Sequence, residues 1–223
     1  GENPDCVHVT GCPSIDIAHQ VVSSGNNILD FDPIKKYGGV GPELDWSNGY
    51  IVAMQHPVTT EFKLAEFQIL ETLRAVHRMG LPAFWFWPNL DAGTDGTSKG
   101  IRKYREQNKI ENIHFFKNMK GADFLKLLKN SFCLIGNSSV GLRECSFLGV
   151  PSINIGDRQF GRERSSNIID VDYSADEILQ AFNIVNNGFT CSSSNLYGDG
   201  NAGKKIVKIL SSVDLSIKKK LSY

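Results

Sequence analysis

Short apolar runs alternate with amphipathic stretches along most of this chain. The runs that have the length of a buried strand lie at residues 51–54, 83–87, 113–116, 132–135, 151–155 and 167–171. Helical spacing of apolar residues, or helix-start residues, predicts helices at residues 14–23, 61–79, 97–107, 123–129, 176–186 and 202–213. Strands that alternate with helices over short links predict an α/β fold, in which helices cover both faces of a parallel sheet.

Two segments interrupt this alternation. Residues 6–10 alternate between apolar and polar side chains, which predicts a further strand near the start of the chain. Residues 24–49 are rich in Gly, Asn, Asp and Pro and carry few periodic apolar positions, which predicts a long loop or linker. The regular part of the fold is therefore expected from residue 50 onward.

One strand–turn–helix unit has the composition of a phosphate-binding turn. The apolar run 132–135 stops at Gly136, and Ser138 or Ser139 is a suitable N-cap for a following helix that contains Glu144. A helix start carries unpaired N–H groups and a partial positive charge, so together with two serine hydroxyls it favours a diphosphate. Plain helix capping explains the same serines, and both interpretations stay open on the turn alone.

Polar side chains follow several predicted strands at their carboxyl ends, where ligands of parallel sheets bind. These residues are His56, Asn89, Asp91, Ser138, Ser139 and Arg158. His56 is suited to donate a hydrogen bond to phosphate or to act as an acid, and Arg158 is suited to bidentate phosphate contact. A structural histidine and a solvated arginine loop are the competing interpretations. The pattern thus predicts a site for an anionic ligand at this edge of the sheet.

Two other motifs point to different chemistry, and neither is complete. Residues 136–141 have one residue too many for the G-x-S-x-G nucleophile elbow, and every histidine precedes these serines, which disfavours a serine hydrolase. Residues 198–203 match G-x-G-x-x-G by letter, but no convincing strand precedes them and no acidic ribose partner follows. No histidine pair has metal-ligand spacing, so we expect neither a cofactor nor a metal.

Composition and charge narrow the class of protein further. Lys+Arg and Asp+Glu both number 24, and this zero net charge argues against a nucleic-acid partner. The 5 cysteines include no C-x-x-C pair, so neither a disulfide framework nor a zinc site is expected, and a reducing, cytoplasmic location fits best. No apolar run reaches membrane-spanning length, so no membrane partner is expected.

Several short segments, taken in their order along the chain, resemble the hydrolysing UDP-N-acetylglucosamine 2-epimerases. They read GCPSID at 11–16, QHPVTT at 55–60, PNLDAG at 88–93, GNSSVGLRE at 136–144, NIGDRQ at 154–159 and YGDGNA at 197–202. Each segment alone is common, but their order across nearly the whole chain is specific to this family.

The resemblance implies the carboxyl-terminal domain of a GT-B fold, which has two facing Rossmann-like domains. Residues 1–24 would end the first domain, 25–49 would form a linker, and 50–223 would form the UDP-binding domain. The full-length enzyme is expected to be a homo-oligomer that converts UDP-N-acetylglucosamine to UDP and N-acetylmannosamine for sialic-acid-type sugars. Because the family's other acid and base groups lie on the first domain, this chain alone is expected to bind UDP without turnover.

The resemblance also assigns roles to individual residues. Ser138 and Ser139 would hold the diphosphate, and Glu144 would accept from the ribose hydroxyls. The remaining assignments are Asn89 and Arg158 to the nucleotide pocket, Phe124 to packing on uracil, His56 to phosphate contact and catalysis, and Asp16 to catalysis. Half of a GT-B glycosyltransferase and a non-enzymatic nucleotide-binding module remain as alternative functions.

Overall fold

A computed structural model of the chain describes residues 2–25 and 28–213. The strands are β1 (Ile51–Met54), β2 (Ala83–Phe86), β3 (Ile113–Phe116), β4 (Leu134–Gly136), β5 (Ser152–Ile155) and β6 (Ile168–Val171). The α-helices are α1 (Pro13–Ser23), α2 (Pro33–Tyr37), α3 (Ala65–Met79), α4 (Thr94–Gln107), α5 (Gly121–Lys129), α6 (Glu144–Leu148), α7 (Ala175–Asn186) and α8 (Ala202–Leu210). Short 3-10 helices lie at Pro4–Cys6 and Thr59–Leu64.

The strands form one parallel sheet of 6 strands in the order β3-β2-β1-β4-β5-β6. The chain builds outward from β1 to β3, then returns to the other side of β1 and continues to β6. The strand order therefore reverses between β1 and β4, where Met54 pairs with Gly136 at the carboxyl ends. In such sheets a crevice opens at this reversal.

The apolar runs become strands because both faces of the sheet are buried. In β1, Ile51 and Ala53 face the core shared with α3, α4 and α7, whereas Val52 faces the core shared with α1, α5 and α6. A strand buried on both sides reads as a continuous apolar run rather than an alternating one. The α/β fold with helices on both faces is therefore confirmed.

The prediction of a strand at residues 6–10 is wrong. The chain forms a 3-10 helix at Pro4–Cys6 and then continues without strand pairing. Val7 is 58% exposed and Val9 is 97% exposed, so the apolar residues of the alternating pattern do not form a buried face. An alternating pattern predicts a strand only where a neighbouring strand and a covering layer exist.

The helix predicted to begin at Ser138 or Ser139 begins instead at Glu144 and has 5 residues. Hydrogen-bonded turns replace its first part, with Gly141 N donating to Ser138 O and Leu142 N donating to Ser139 O. Cys145 N donates to Val140 O rather than to Gly141 O, and Gly141 O accepts from the buried Asn167 amide at 3.0 Å. A full helix start therefore does not face the site.

Residues 28–49 pack more tightly than the predicted linker. They include α2, and Val40 exchanges two backbone hydrogen bonds of 2.9 Å with Phe115 on the edge strand β3. The ring nitrogens of His114 face the carbonyls of Gly38 and Pro42 at 3.0 and 2.8 Å. This segment covers the edge of the sheet, which otherwise would present unpaired backbone groups.

Two helix boundaries also differ from the pattern. The predicted helix 61–79 splits into the 3-10 helix Thr59–Leu64 and α3, and Phe62 is 53% exposed instead of facing the core. The terminal helix, predicted over residues 202–213, ends at Leu210, and the lysine-rich stretch 218–220 lies outside the described residues. In the part of the chain that is described, no helix is long and apolar enough to cross a bilayer.

Candidate functional site

The candidate site lies at the carboxyl edge of the sheet, where the strand order reverses. β1 leads into the loop that carries His56, and β4 leads into the turn that carries Ser138 and Ser139. The loop after β2 carries Asn89 and Asp91, and the loop after β5 carries Arg158. Parallel strands deliver all four connections to the same rim, as the pattern predicted.

His56 is held as a neutral hydrogen-bond donor. The backbone N–H of Asn89 donates to His56 Nδ1 at 3.2 Å, so the ring proton of the neutral imidazole lies on Nε2. Burial lowers the pKa of His56 to about 4, and the nearby Arg158 guanidinium contributes to this shift. At neutral pH His56 therefore offers an uncharged Nε2–H and is poorly suited to give up a proton from an imidazolium.

Arg158 contacts two neighbouring loops. Its Nη1 donates to the carbonyl of Asn137 at 3.2 Å, and its Nη2 lies 3.5 Å from Asp91 Oδ2. Asp91 also accepts from the Asn89 side chain. His56, Asn89, Asp91 and Arg158 thus form one connected polar group, which we call the His56–Arg158 cluster.

A cavity of about 420 Å³ opens beside this cluster. Its lining comprises Pro57, Val58, Thr59, Thr60, Asp91, Asp157, Arg158 and Phe160. Arg158 supplies a positive charge there, and the threonine hydroxyls supply further donors. Asp91 and Asp157 also line this cavity, and Asp91 is paired with Arg158 at 3.5 Å, so the lining is polar and carries charges of both signs.

The serine turn follows β4 at the same edge of the sheet, and Glu144 begins α6, but neither the two serines nor Glu144 line the 420 Å³ cavity. Ser138 is buried, and its Oγ accepts from Val140 N at 3.4 Å, whereas Ser139 is half-buried. Glu144 is also buried, with Oε1 at 3.6 Å from Arg143 Nη2. Among the described residues its Oε2 has no hydrogen-bond partner, although a buried carboxylate oxygen normally has one.

Phe124 lies on α5, the helix that follows β3. It is half-buried and packs edge-to-face on Phe86, with ring centroids 5.0 Å apart and planes at 86°. This packing on the end of β2 holds the ring in one orientation near the rim. The role predicted for it, packing on uracil, stays a prediction.

Asp16 lies on α1 and caps another helix. Its Oδ1 accepts from Ala202 N at 2.9 Å, and its Oδ2 accepts from Gly203 N at 2.7 Å. These two N–H groups belong to the first turn of α8, whose donors have no partner within the helix. Both oxygens of Asp16 thus stabilise the packing of α1 with α8, and a catalytic role for Asp16 stays a prediction.

We expect Asp16→Ala to lower the free energy of unfolding by about 1–2 kcal/mol, the usual cost of losing a helix cap. The measurement is urea unfolding followed by circular dichroism. Asp16→Asn retains one acceptor and should lose about half as much. An Asp16→Ala chain with unchanged stability would contradict the capping role.

Two buried amides belong to the site although the sequence pattern did not single them out. Asn137 and Gln159 are almost fully buried, and both contact the loops that carry the cluster. Amide side chains are common in turns, so the sequence does not distinguish these two residues. Only their burial in the folded chain identifies them as part of the site. Within residues 2–25 and 28–213, no group of three or more His, Cys, Asp or Glu is placed to hold a metal.

The chain is similar to known proteins in both sequence and fold. The family model described as UDP-N-acetylglucosamine 2-epimerase matches residues 1–211. The chain is 33% identical over 181 residues to a UDP-N-acetylglucosamine 2-epimerase of Neisseria meningitidis, covering 81% of this chain and 44% of that protein. It is 28% identical over 219 residues to a hydrolysing UDP-N,N'-diacetylbacillosamine 2-epimerase of Legionella pneumophila, covering 96% of this chain and 54% of that protein.

Solved structures share the fold. The Neisseria meningitidis UDP-GlcNAc 2-epimerase bound to UDP-GlcNAc matches with a TM-score of 0.70 at 19% identity, covering 94% of this chain and 56% of that chain. The Methanocaldococcus jannaschii enzyme in complex with UDP-GlcNAc and UDP matches with a TM-score of 0.67 at 17% identity, with the same coverage. The chain spans about half the length of the curated relatives that it matches. The match of the family model over nearly the whole chain shows that it belongs to the UDP-N-acetylglucosamine 2-epimerase family.

Proposed function

We propose that this chain binds the UDP part of a UDP-N-acetylhexosamine at the carboxyl edge of its sheet, as the nucleotide-binding half of a hydrolysing 2-epimerase. The observation that carries this proposal is the His56–Arg158 cluster, which joins three separate loops at the reversal of strand order. Relatives and structural neighbours named for UDP-GlcNAc support the choice of nucleotide.

In this proposal each polar group meets one part of the ligand. Arg158 and the Nε2–H of His56 donate to the diphosphate, aided by the hydroxyls of Ser138 and Ser139. The unpartnered Oε2 of Glu144 accepts from a ribose hydroxyl, and Phe124 packs on the uracil. Asn89 contributes by holding the His56 ring and the Asp91 carboxylate in place.

The reaction of the full-length enzyme would begin with loss of the proton on the carbon that bears the acetamido group. The C–O bond to UDP breaks in the same elimination and leaves a glucal-like intermediate. Water then adds to this intermediate and gives N-acetylmannosamine. Negative charge develops on the departing diphosphate, and preorganised donors such as Arg158 and His56 stabilise it.

We expect no turnover by this chain alone, because the resemblance assigns the remaining acid and base groups to the other domain of the GT-B fold. Of the two carboxylates that line the cavity, Asp91 is engaged by Arg158 and Asn89, and Asp157 precedes Arg158 on the loop after β5. A soluble chain that released N-acetylmannosamine at an enzyme-like rate would show that this division of labour is wrong.

Two alternative functions share the same fold. A GT-B glycosyltransferase half would also bind a nucleotide sugar here, and a non-enzymatic module would bind only the nucleotide. The segment 57–60, which belongs to the epimerase resemblance, lines the cavity and favours the epimerase. Product analysis of a full-length protein separates the three functions, since only a hydrolysing epimerase releases free N-acetylmannosamine.

The direct test is calorimetric titration of the purified chain with UDP, UMP, uridine and UDP-N-acetylglucosamine. We expect UDP to bind more tightly than UMP, and UMP more tightly than uridine, because each phosphate adds charge-assisted hydrogen bonds. UDP-N-acetylglucosamine should bind about as well as UDP, since the sugar contacts belong to the other domain. Absence of heat with UDP at millimolar concentration would reject the proposed function.

A further inference from the structure

The side chain of Asn137 joins two loops of the site. Its Oδ1 accepts from the backbone N–H of His56 at 2.8 Å, and its Nδ2 donates to the backbone carbonyl of His56 at 2.8 Å. Asn137 has no exposed surface. Its own N–H donates to Met54 O at 3.3 Å. The residue thus continues the pairing of β1 and β4 beyond the ends of both strands.

The main-chain carbonyl of Asn137 joins a third loop to the other two. It accepts from Arg158 Nη1 at 3.2 Å and from Gln159 Nε2 at 2.8 Å. Gln159 is buried as well. One residue therefore holds the loop of His56 through its side chain and the loop of Arg158 through its backbone.

The chemistry of the side chain explains why asparagine stands here. A carboxamide places an acceptor oxygen and an NH₂ donor side by side in a rigid plane, which matches the N–H and C=O of a single residue. Aspartate would lack the donor and would bury a charge, and serine is too short to reach both groups. Without the amide, the N–H and C=O of His56 would lose their partners in a half-buried loop.

We propose that Asn137 is a positioning residue, which sets the spacing between His56 and Arg158 so that both reach the same diphosphate. This proposal rests on the proposed function. Both polar atoms of the Asn137 side chain contact the backbone of His56, and the residue has no exposed surface, so Asn137 does not itself meet a ligand. Its effect on binding passes through the two residues that it holds.

The state of the His56 ring reports on this role. The ring keeps Nδ1 as an acceptor only while the His56 loop stays against Asn89 N. Release of the loop would break that contact and expose the ring to water. The charged groups that face the ring are Arg158 and Asp91, and both remain in the variants below.

The test compares Asn137→Ala with Asn112→Ala. Asn112 is a matched control, because its amide also bridges backbone carbonyls, those of Val76 and Leu81, but away from the site. For Asn137→Ala we expect about tenfold weaker UDP binding by calorimetry, the loss of one net hydrogen-bond contribution. The ¹⁵N spectra of His56 should lose the pure Nε2–H tautomer, and the pKa of His56 should rise toward 6.5. Asn112→Ala should change stability alone.

Equal UDP affinities of wild type and a folded Asn137→Ala chain, with unchanged His56 spectra, would overturn the proposal. If Asn137→Ala does not fold, the variant Gln159→Met tests the proposal instead. It removes one hydrogen-bond donor from the main-chain carbonyl of Asn137 without creating a cavity. We expect about threefold weaker UDP binding from Gln159→Met, and an unchanged affinity would overturn the proposal. The His56 spectra are recorded without ligand, so they test the positioning role independently of UDP binding. If the wild-type chain fails to bind UDP, that result rejects the proposed function but not the positioning role.

Discussion

Alanine in place of Gly136 is expected to prevent β4 from pairing with β1 at the centre of the sheet. Gly136 has φ +142°, and a Cβ at this position would lie 2.0 Å from Met54 O and 2.5 Å from Met54 C. Both neighbours are backbone atoms of the adjacent strand, so neither can move aside without breaking the pairing. We expect Gly136→Ala to cost more than about 4 kcal/mol, a large share of the total stability of a domain.

Urea unfolding followed by circular dichroism measures this loss, and in the extreme case the variant is recovered only as aggregate. Gly121→Ala is the matched control. Gly121 begins α5, a Cβ there would meet no atom within 4 Å, and alanine is the better helix former. We expect the control to match wild type or exceed it slightly. Unfolding of Gly136→Ala at the wild-type urea concentration would contradict the close approach of the two strands.

The same close approach matters for the site. Gly136 is the last residue of β4, and the next residues are Asn137 and Ser138. Because no side chain separates β4 from β1 at this point, the loops that follow both strands begin next to each other. The contact between Asn137 and His56 depends on that spacing.

Loss of the Arg158 side chain is expected to weaken UDP binding about 10–100-fold, the range for charge-assisted hydrogen bonds. Uridine binding should change little, because the lost partner is a phosphate oxygen. The measurement is calorimetric titration of Arg158→Ala with both ligands. Arg158→Lys should fall between wild type and alanine, since lysine keeps the charge but not the planar fork.

Arg162→Ala provides the control for charge alone. Arg162 lies on the same loop and is exposed, so its removal lowers the net charge equally without altering the cluster. We expect UDP affinity to stay within about twofold of wild type, as for a screened surface charge. Arg158 also donates to Asn137 O, so thermal unfolding of each variant must accompany the titrations. Equal losses for UDP and uridine in Arg158→Ala would mean that Arg158 acts through the fold.

The sequence predicted the fold well where local and global preferences agree. Each apolar run that became β1 to β5 is short, is bounded by turn residues and is buried on both faces, so period and burial point to the same element, whereas the edge strand β6 is only partly buried. The convergence of His56, Asn89 and Arg158 followed from the parallel direction of the strands alone. The roles of these residues toward UDP remain predictions.

The errors arose where a distant partner overrides a local signal. Serines at 138 and 139 are good caps, but the chain after them forms turns, and the distant amide of Asn167 binds the carbonyl of Gly141 in those turns. The sequence suggests a free carboxylate at Asp16, near the start of α1. In the structure both of its oxygens accept hydrogen bonds from the first turn of α8, far along the chain. Neither partner is visible from residues close in sequence.

By itself, the sequence determined the succession of strands and helices along the chain, the parallel sheet and the family. These follow from periodicity and short motifs, which are local properties of the chain. Only the tertiary structure decided how the loops are held: the double contact of Asn137 with His56, the shared carbonyl for Arg158 and Gln159, and the cap of α8 by Asp16. These contacts join residues far apart in sequence, and a hydrogen bond forms only when folding brings donor and acceptor within about 3 Å of each other.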